Sequence, residues 1–424
     1  MATTRTFSAM LNEFLPNKLL EEELIKRDYI LQHVPKDNSW KDGKLIVPFW
    51  GSRASSVSIG ALTASTDIAE SDPIRGYIDD YVEIWSTLIL NQRDLQEHDG
   101  QIPETTFLRL VPNEVDALMD YTKEVVSVAL CCGPHFAKVT TDSSPTDAAN
   151  GVFTVDHIDR FRLKQKVVLD DDNSNAVEAY VIGINLNDST VTVSATRGGS
   201  AYNAAAYVAA QNAKFYHPGQ IAAGGSGAAP VAFNSIRQSL MPYASGGSQK
   251  LHNVTKTSYP CLQAIAASGA AISASNLLEK IFDHWVTVRT RGRGNADTIL
   301  VSYKHLGSAL KILEDSKGSY RAADSMKANM YGWTEITIAD IKGGRQLKFV
   351  ALPEMDDDVI FFIDWSTWCF YTNGFFKKRT SPDGKQYFEI RATTGYSYVI
   401  DLSLFGDLAC LKASSNGILH TISY

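Results

Sequence analysis

The sequence predicts an α+β protein, because one long amphipathic helical stretch stands between segments that alternate as strands do. The helical stretch begins at Pro112 and ends before Gly133-Pro134, and its apolar residues recur about every 3.6 positions. At 424 residues the chain exceeds what a single hydrophobic core usually organises. Several subdomains are therefore expected.

The composition is that of a folded protein, with 44% hydrophobic and 21% charged residues. A net charge of −7 argues against a protein whose whole surface coats nucleic acid. The sequence contains no apolar run of about 18 residues that would predict a membrane span. It also contains no apolar stretch near the N-terminus that would predict a signal peptide. Five cysteines without a C-x-x-C pair predict free thiols in a reducing cytoplasm.

The N-terminal part of the chain predicts an arm followed by a projecting loop. Residues 1–44 form the arm and residues 45–76 the loop, in which the β-like run Leu45–Trp50 leads into Gly51–Ser71, rich in Ser, Ala, Thr and Gly. A strand is predicted at Tyr77–Trp85. A loop of this length inside a compact domain is unusual unless it contacts something else, and plain surface disorder is the alternative.

Residues 77–144 carry the long helix, and residues 145–222 are predicted to be an inserted β module. Turn residues separate four short strands there, a spacing typical of a small barrel or sandwich. These strands are Lys166–Leu169, Glu178–Ile184, Thr190–Ser194 and Ala213–Tyr216.

Residues 223–374 are predicted to form an α/β unit, with helices at Ser275–Val286 and Tyr303–Glu314. Residues 375–424 are meander-like, and Asp383-Gly384 is a strong hairpin signal.

A search for catalytic patterns finds none. The sequence contains no H-E-x-x-H, Walker A or G-x-S-x-G string, and the acidic turn Asp170–Asn175 lacks the Gly and Glu of a calcium loop. The nine histidines are scattered. We therefore predict a protein that is not an enzyme, with no catalytic residue, cofactor or metal.

Two basic clusters are candidate contacts for DNA phosphate or for a neighbouring subunit. A solvated loop and a strand end are the alternative interpretations. The clusters consist of Arg289, Arg291 and Arg293, and of Lys377, Lys378 and Arg379.

The order of these pieces resembles the major capsid protein of tailed bacteriophages, the Hong Kong ninety-seven-like fold. Pro112–Cys132 resembles the spine helix of that family, and Gly344–Met355 followed by Val359–Asp364 is similar to its strand, acidic turn and strand. The resemblance makes residues 77–144 and 375–424 a peripheral domain and 223–374 an axial domain.

The resemblance also implies a function and partners. Copies of the chain would form hexamers and pentamers of an icosahedral shell around double-stranded DNA, with a separate scaffolding protein and a portal. The shell would assemble in the bacterial host cytoplasm, away from membranes, and become the virion capsid. No lysine lies between Leu45 and Asp80, so covalent crosslinking there is not expected. Candidate assembly contacts are Arg53, Ile59, Leu62, Glu70 and Arg75.

Two other functions stay open at this point. A carbohydrate-active hydrolase with a β-rich accessory module would use Asp364 with Glu354 or Glu389 as paired carboxylates. Its sugar cleft would be lined by Trp285, Trp333, Trp365 and Trp368. A phage tail or baseplate protein would share the logic of assembly.

Overall fold

The structure, a computed structural model, combines helices with several separate β-sheets, which confirms the predicted α+β class. It describes residues 4–40, 43–52, 72–79, 81–95, 102–140, 151–170, 176–199, 213–221, 231–242, 245, 250–315, 335–339, 346–381, 383–392 and 395–424. The chain divides into two compact units. The first contains Met1–Lys123 and Ile236–Tyr424, and the second, the barrel unit, contains Glu124–Ser235.

The helices of the described residues are α1 (Phe7–Phe14), α2 (Asn17–Arg27), α3 (Tyr29–His33), α4 (Glu104–Cys131), α5 (Ile236–Leu240), α6 (Leu277–Arg291) and α7 (Tyr303–Asp315). The strands are β1 (Thr4–Arg5), β2 (Lys36–Asp37), β3 (Leu45–Ser52), β4 (Asp72–Ile78), β5 (Val82–Asn91), β6 (Ile102–Pro103), β7 (Ala137–Lys138), β8 (Val152–Thr154), β9 (Lys166–Asp170), β10 (Ala176–Asn185), β11 (Thr190–Ser194), β12 (Lys214–Tyr216), β13 (Lys250–Leu251), β14 (Val254–Thr255), β15 (Ile265–Ser268), β16 (Thr298–Val301), β17 (Glu335–Ala339), β18 (Gln346–Ala351), β19 (Val359–Ile363), β20 (Trp368–Tyr371), β21 (Phe376–Lys378), β22 (Phe388–Ala392), β23 (Gly395–Cys410) and β24 (Gly417–His420). None of these helices is both long and apolar enough to cross a membrane.

Strand β23 organises one sheet of the first unit. It pairs antiparallel with β5 over ten residues, from Ser397 opposite Asn91 to Gly406 opposite Val82, and also with β20, β21 and β22. The single strand predicted at Tyr77–Trp85 is wrong, because Ile78 ends β4 and Val82 begins β5 in a different sheet. The two strands have different partners, which local alternation cannot reveal.

The second large sheet of the first unit has the order β15-β24-β19-β16-β18-β17. Apolar residues of α6 and α7 belong to the core of this sheet, together with Ile299 and Phe349. The prediction that residues 375–424 all return to the β23 sheet is wrong for β24, which lies between β15 and β19. Strand β20 is likewise not part of the predicted 223–374 unit, because it pairs with β23.

The long helix begins earlier than predicted, at Glu104, so Pro112 lies inside it. A proline there leaves the carbonyl of Leu108 without its helical donor, at a cost of about 3 kcal/mol. Phe107 and Val111 are fully buried on the additional turns, and each contributes about 1.5–3 kcal/mol. Their burial offsets the cost of the proline.

The barrel unit is a closed antiparallel sheet of order β7-β12-β9-β10-β11-β8. A bridge between Val139 and Val155 joins the two outer strands, and the amide of Asp156 donates to the carbonyl of Lys138 at 3.1 Å. The predicted boundary at residue 145 leaves β7 outside this sheet. Alternate residues such as Val191 and Val193 fill the interior, which four phenylalanines complete: Phe136, Phe153, Phe161 and Phe215.

Gly406 allows β23 to pass closely beside β20. Its φ is +156°, and a Cβ there would lie 2.5 Å from the Phe370 ring and from the Tyr371 carbonyl oxygen. We predict that Gly406→Ala lowers the free energy of unfolding by about 3 kcal/mol or more. Gly384→Ala is the matched control, because Gly384 also has a positive φ (+77°) but no atom within 4 Å. That control should cost about 1 kcal/mol, and equal losses in denaturant titrations would contradict the steric explanation.

Candidate interaction surfaces

The first candidate surface is a hairpin formed by β3 and β4. Leu45 pairs with Ile78 at its base and Ser52 with Asp72 at its far end, with a bulge near Trp50. Within the described residues these two strands form a sheet of their own. A two-stranded hairpin is at best marginally stable in water without further packing.

The base of the hairpin is fixed by the turn between β13 and β14. The amide of Tyr77 donates to the carbonyl of His252 at 2.9 Å, and the Asn253 side chain donates to Asp79 at 2.6 Å. The Phe49 ring stacks on the His252 imidazole, with the ring centroids 5.9 Å apart. His252 and Asn253 both have positive φ. Nothing in the sequence analysis identified this turn.

Burial keeps the imidazole of His252 neutral, because it lowers the pKa of this group to about 4. The neutral ring accepts a hydrogen bond at Nε2 from the amide of Cys410, at 3.0 Å. Burial also raises the pKa of the Cys410 thiol to about 12. These groups hold the turn that carries the hairpin and have a structural role.

Of the predicted contacts in the loop, Arg53, Ile59, Leu62 and Glu70 lie outside the described residues. Arg75 lies on β4, is exposed and is directly opposite Pro48.

The second candidate surface, here called the β5 face, is the exposed side of the β23 sheet. Trp85 is 44% exposed and Ile89 is 61% exposed, and Ile390 is exposed on β22. The guanidinium of Arg379 lies 5.3 Å from the centres of both the Trp85 and the Phe388 rings. Sequence reasoning did not single out Trp85 or Ile89; the available signal was two large apolar residues on the same face of β5 as the polar Glu83 and Thr87.

The predicted cluster of Lys377, Lys378 and Arg379 is not a continuous basic patch, and Lys378 is wrongly assigned to it. Lys378 is buried, and its ammonium donates to the carbonyls of Leu11 and Leu15 at 3.2 and 2.6 Å. Successive residues of a strand point to opposite faces, so the middle residue of this run points inward. The side chain therefore caps the C-terminal end of α1.

The cluster of Arg289, Arg291 and Arg293 lies where α6 ends. The structure extends this helix from the predicted Val286 to Arg291, so the first two arginines occupy its last turn. Arg289 lies with its guanidinium 5.0 Å from the Trp285 ring centre. Arg291 and Arg293 are exposed, and Arg293 has a φ of +50°.

The carboxylates proposed for a hydrolase are engaged in structural contacts. Glu354 is buried and pairs with Lys123, while Asp364 accepts from the Asn295 amide at 3.0 Å. Glu389 pairs with Lys385 at 2.9 Å. Within the described ranges, no group of three or more His, Cys, Asp or Glu side chains could hold a metal ion.

The tryptophans proposed for a sugar cleft also serve the fold. Trp368 is buried and donates to Asn416 at 3.1 Å, and Trp285 and Trp365 donate to the Ala296 carbonyl and the Thr298 hydroxyl. Trp333 lies outside the described residues.

Comparison with solved structures finds similarity to capsids. The capsid of a native GTA particle matches with a TM-score of 0.45 and 10% identity, covering 92% of this chain and 89% of that one. The cyanophage A-1(L) capsid matches with a TM-score of 0.42 and 9% identity, covering 92% and 91%. A virus-like particle from Pyrococcus furiosus matches with a TM-score of 0.38 and 8% identity, covering 95% and 97%.

The resemblance predicted from the sequence thus recurs in the structural comparison. With TM-scores below 0.5, these similarities carry no argument about function. No protein-family model and no curated protein sequence matches the chain.

The buried ammonium of Lys378 generates a pH prediction. Burial lowers its pKa to about 8, below the ordinary value of 10.5. Between these values the unfolded chain binds more protons than the folded one, so this group makes the protein more stable as the pH rises. We expect the unfolding free energy of wild type to rise from pH 8 to 10 relative to that of Lys378→Met. Groups that titrate in both proteins, such as Lys256, contribute equally and cancel in this difference. A difference in unfolding free energy, measured in urea titrations, that stays constant from pH 8 to 10 would contradict the prediction.

Proposed function

We propose that the chain is a major capsid protein, whose copies associate into hexamers and pentamers of an icosahedral shell. The observation that carries the proposal is the hairpin of β3 and β4, fixed at its base by His252 and Asn253. Its strands pair only with each other among the described residues, and Ile46 and Tyr77 expose apolar surface to solvent. Packing on another copy of the chain would complete its stabilisation.

The β5 face supplies a surface of matching character. Its exposed apolar residues, Trp85, Ile89 and Ile390, lie on the rigid β23 sheet, while the opposite side of β5 packs inward through the hydrogen bond of Ser86 with Thr122 at 2.7 Å. Exposed apolar clusters on a folded chain typically mark interaction sites. In the proposed shell, the hairpin of one copy lies across the β5 face of its neighbour.

The other parts of the proposal concern partners and place. The shell encloses double-stranded DNA without sequence-specific contacts, and the net charge of −7 suits a container that does not grip its content. A separate scaffolding protein and a portal take part in assembly, which occurs in the bacterial host cytoplasm. The protein has no enzymatic role in this proposal.

Shortening the hairpin tests the proposal directly. Ser52 and Asp72 are paired, so an Asn-Gly turn can replace residues 53–71 and close the two strands as a tight hairpin. We expect a soluble subunit with the circular dichroism spectrum of wild type that forms no shells, as judged by size-exclusion chromatography and negative-stain microscopy. Regular shells of the shortened chain would refute the role assigned to the hairpin.

Substitutions on the β5 face test the receiving surface. Trp85→Ser with Ile89→Ser should reduce shell formation, because the substitutions remove apolar contact area from an exposed surface. The unfolding free energy of the subunit should fall by about 1–2 kcal/mol, because the Trp85 ring also contacts the Arg379 guanidinium. Leu163→Ser with Leu186→Ser is the matched control, because both leucines are at least as exposed as Trp85 and Ile89 but lie in the barrel unit. Equal effects of the two pairs on assembly would show that the β5 face has no special role.

A further inference from the structure

Helix α6 carries an exposed stripe that contains two acidic residues, and two exposed arginines, Arg291 and Arg293, stand where the helix ends. At about 100° per residue, Glu279, Asp283, Val286 and Thr290 fall within about 60° of one another around the helix axis, and Arg291 lies about 80° or more from the two acidic residues. The side chains of Glu279 and Asp283 are 71% and 68% exposed, and Val286 is 51% exposed. The opposite side of α6 packs into the core of the six-stranded sheet of order β15-β24-β19-β16-β18-β17.

The basic segment that follows the stripe, with Arg291 and Arg293, is held in a fixed shape. A Cβ on Gly292 would lie 2.1 Å from the Ser414 carbonyl oxygen, and a Cβ on Gly294 would lie 2.1 Å from that of Ser415. Only glycine allows the chain to approach this closely. The loop between them presents Arg293 with its φ of +50°, a conformation that costs free energy for a residue other than glycine.

Arg291 and Arg293 are exposed, and neither forms an ion pair with another described residue. At the acidic end, Lys280 lies 4.0 Å from both Glu279 and Asp283, at the limit of an ion pair between exposed groups. Such contacts contribute little, so the acidic end keeps a net negative charge.

The two charged ends cannot neutralise each other within one copy. Twelve residues separate Glu279 from Arg291, which places them about 18 Å apart along the helix. The Debye length at physiological ionic strength is about 8 Å, so their attraction within the helix is screened. A second copy can bring the acidic end of its own α6 against the basic end of the first.

We propose that the α6 stripe and the two arginines at the end of the helix form an interface between copies of this chain, in which Glu279 and Asp283 of one copy pair with Arg291 and Arg293 of the next. Val286 lies between the charged groups and contributes apolar contact area. A contact between unlike ends of the same element is heterologous, and heterologous contacts generate closed rings when the rotation between copies closes. The inference rests on the proposed shell function and identifies one of its ring-forming contacts.

Charge reversal with the full-length chain tests this pairing. We expect Arg291→Glu with Arg293→Glu, and separately Glu279→Arg with Asp283→Arg, each to lower the yield of rings and shells by about tenfold through like-charge repulsion. The chain carrying all four substitutions should recover to within about threefold of wild type, because the pairing is restored with opposite sign. The reversed charges oppose the dipole of α6, so a more stable helix could not explain the recovery of assembly by the variant with all four substitutions.

Two controls separate the pairing from general effects of charge and folding. Lys164→Glu with Arg197→Glu changes the net charge as much as Arg291→Glu with Arg293→Glu does, but on exposed residues of the barrel unit. It should leave the yield of rings and shells unchanged. Thermal unfolding of each subunit, and the milder Arg291→Gln with Arg293→Gln, show whether a loss of assembly reflects misfolding.

Three results would overturn the pairing while leaving the shell function standing. They are normal assembly of both charge-reversed double variants, failure of the variant with all four substitutions to recover assembly, and normal shells of the arginine variant that retain less nucleic acid. The last result would assign the arginines to phosphate. Wild-type protein that never assembles would instead refute the shell function, and the pairing with it.

Discussion

The pairing of β5 with β23 is the constraint on which the rest of the first unit depends. It joins residues 82–91 to residues 397–406 and therefore closes most of the chain into one loop. The N-terminal segment packs on the same sheet, where the Phe7 ring stacks on Tyr398 with centroids 4.5 Å apart. Strand β5 also produces two sides of different character: an inner side that meets α4 and an outer side that exposes Trp85 and Ile89. The exposed apolar side of β5 therefore depends on this long-range pairing.

Cationic side chains, of which Lys378 is buried, fix the N-terminal helices to this framework. The ammonium of Lys378 caps α1, and that of Lys36 donates to the carbonyl of Leu31 near the end of α3. Arg27 of α2 binds Asp116 and Asp120 of α4 at 2.5 and 2.7 Å. Helix ends leave carbonyls without donors, and cations are favoured there. The predicted arm, over its described residues, is thus folded against its own chain.

The proposed contacts share one physical logic. The hairpin and the β5 face are unlike surfaces of one chain, and so are the acidic stripe of α6 and the arginines at its C-terminal end. Interfaces of this heterologous kind let identical copies surround an axis without a twofold relation between neighbours. Apolar area at the β5 face would provide affinity, while the charges of α6 would select the register between copies, because electrostatic complementarity contributes more to specificity than to affinity.

The sequence by itself determined the α+β class, the long helix and four of the six strands of the barrel unit, because alternation and the 3.6-residue period are local properties that burial preserves. The N-terminal boundary of that helix could not be predicted from the local sequence, because the burial of Phe107 and Val111 outweighs the tendency of Pro112 to begin a helix. Tertiary structure alone decided that Lys378 is a buried cap and that Gly417–His420 joins the other sheet. It also decided that His252 and Asn253 hold the hairpin. Each of these depends on residues more than fifty positions away, whose proximity no local pattern encodes.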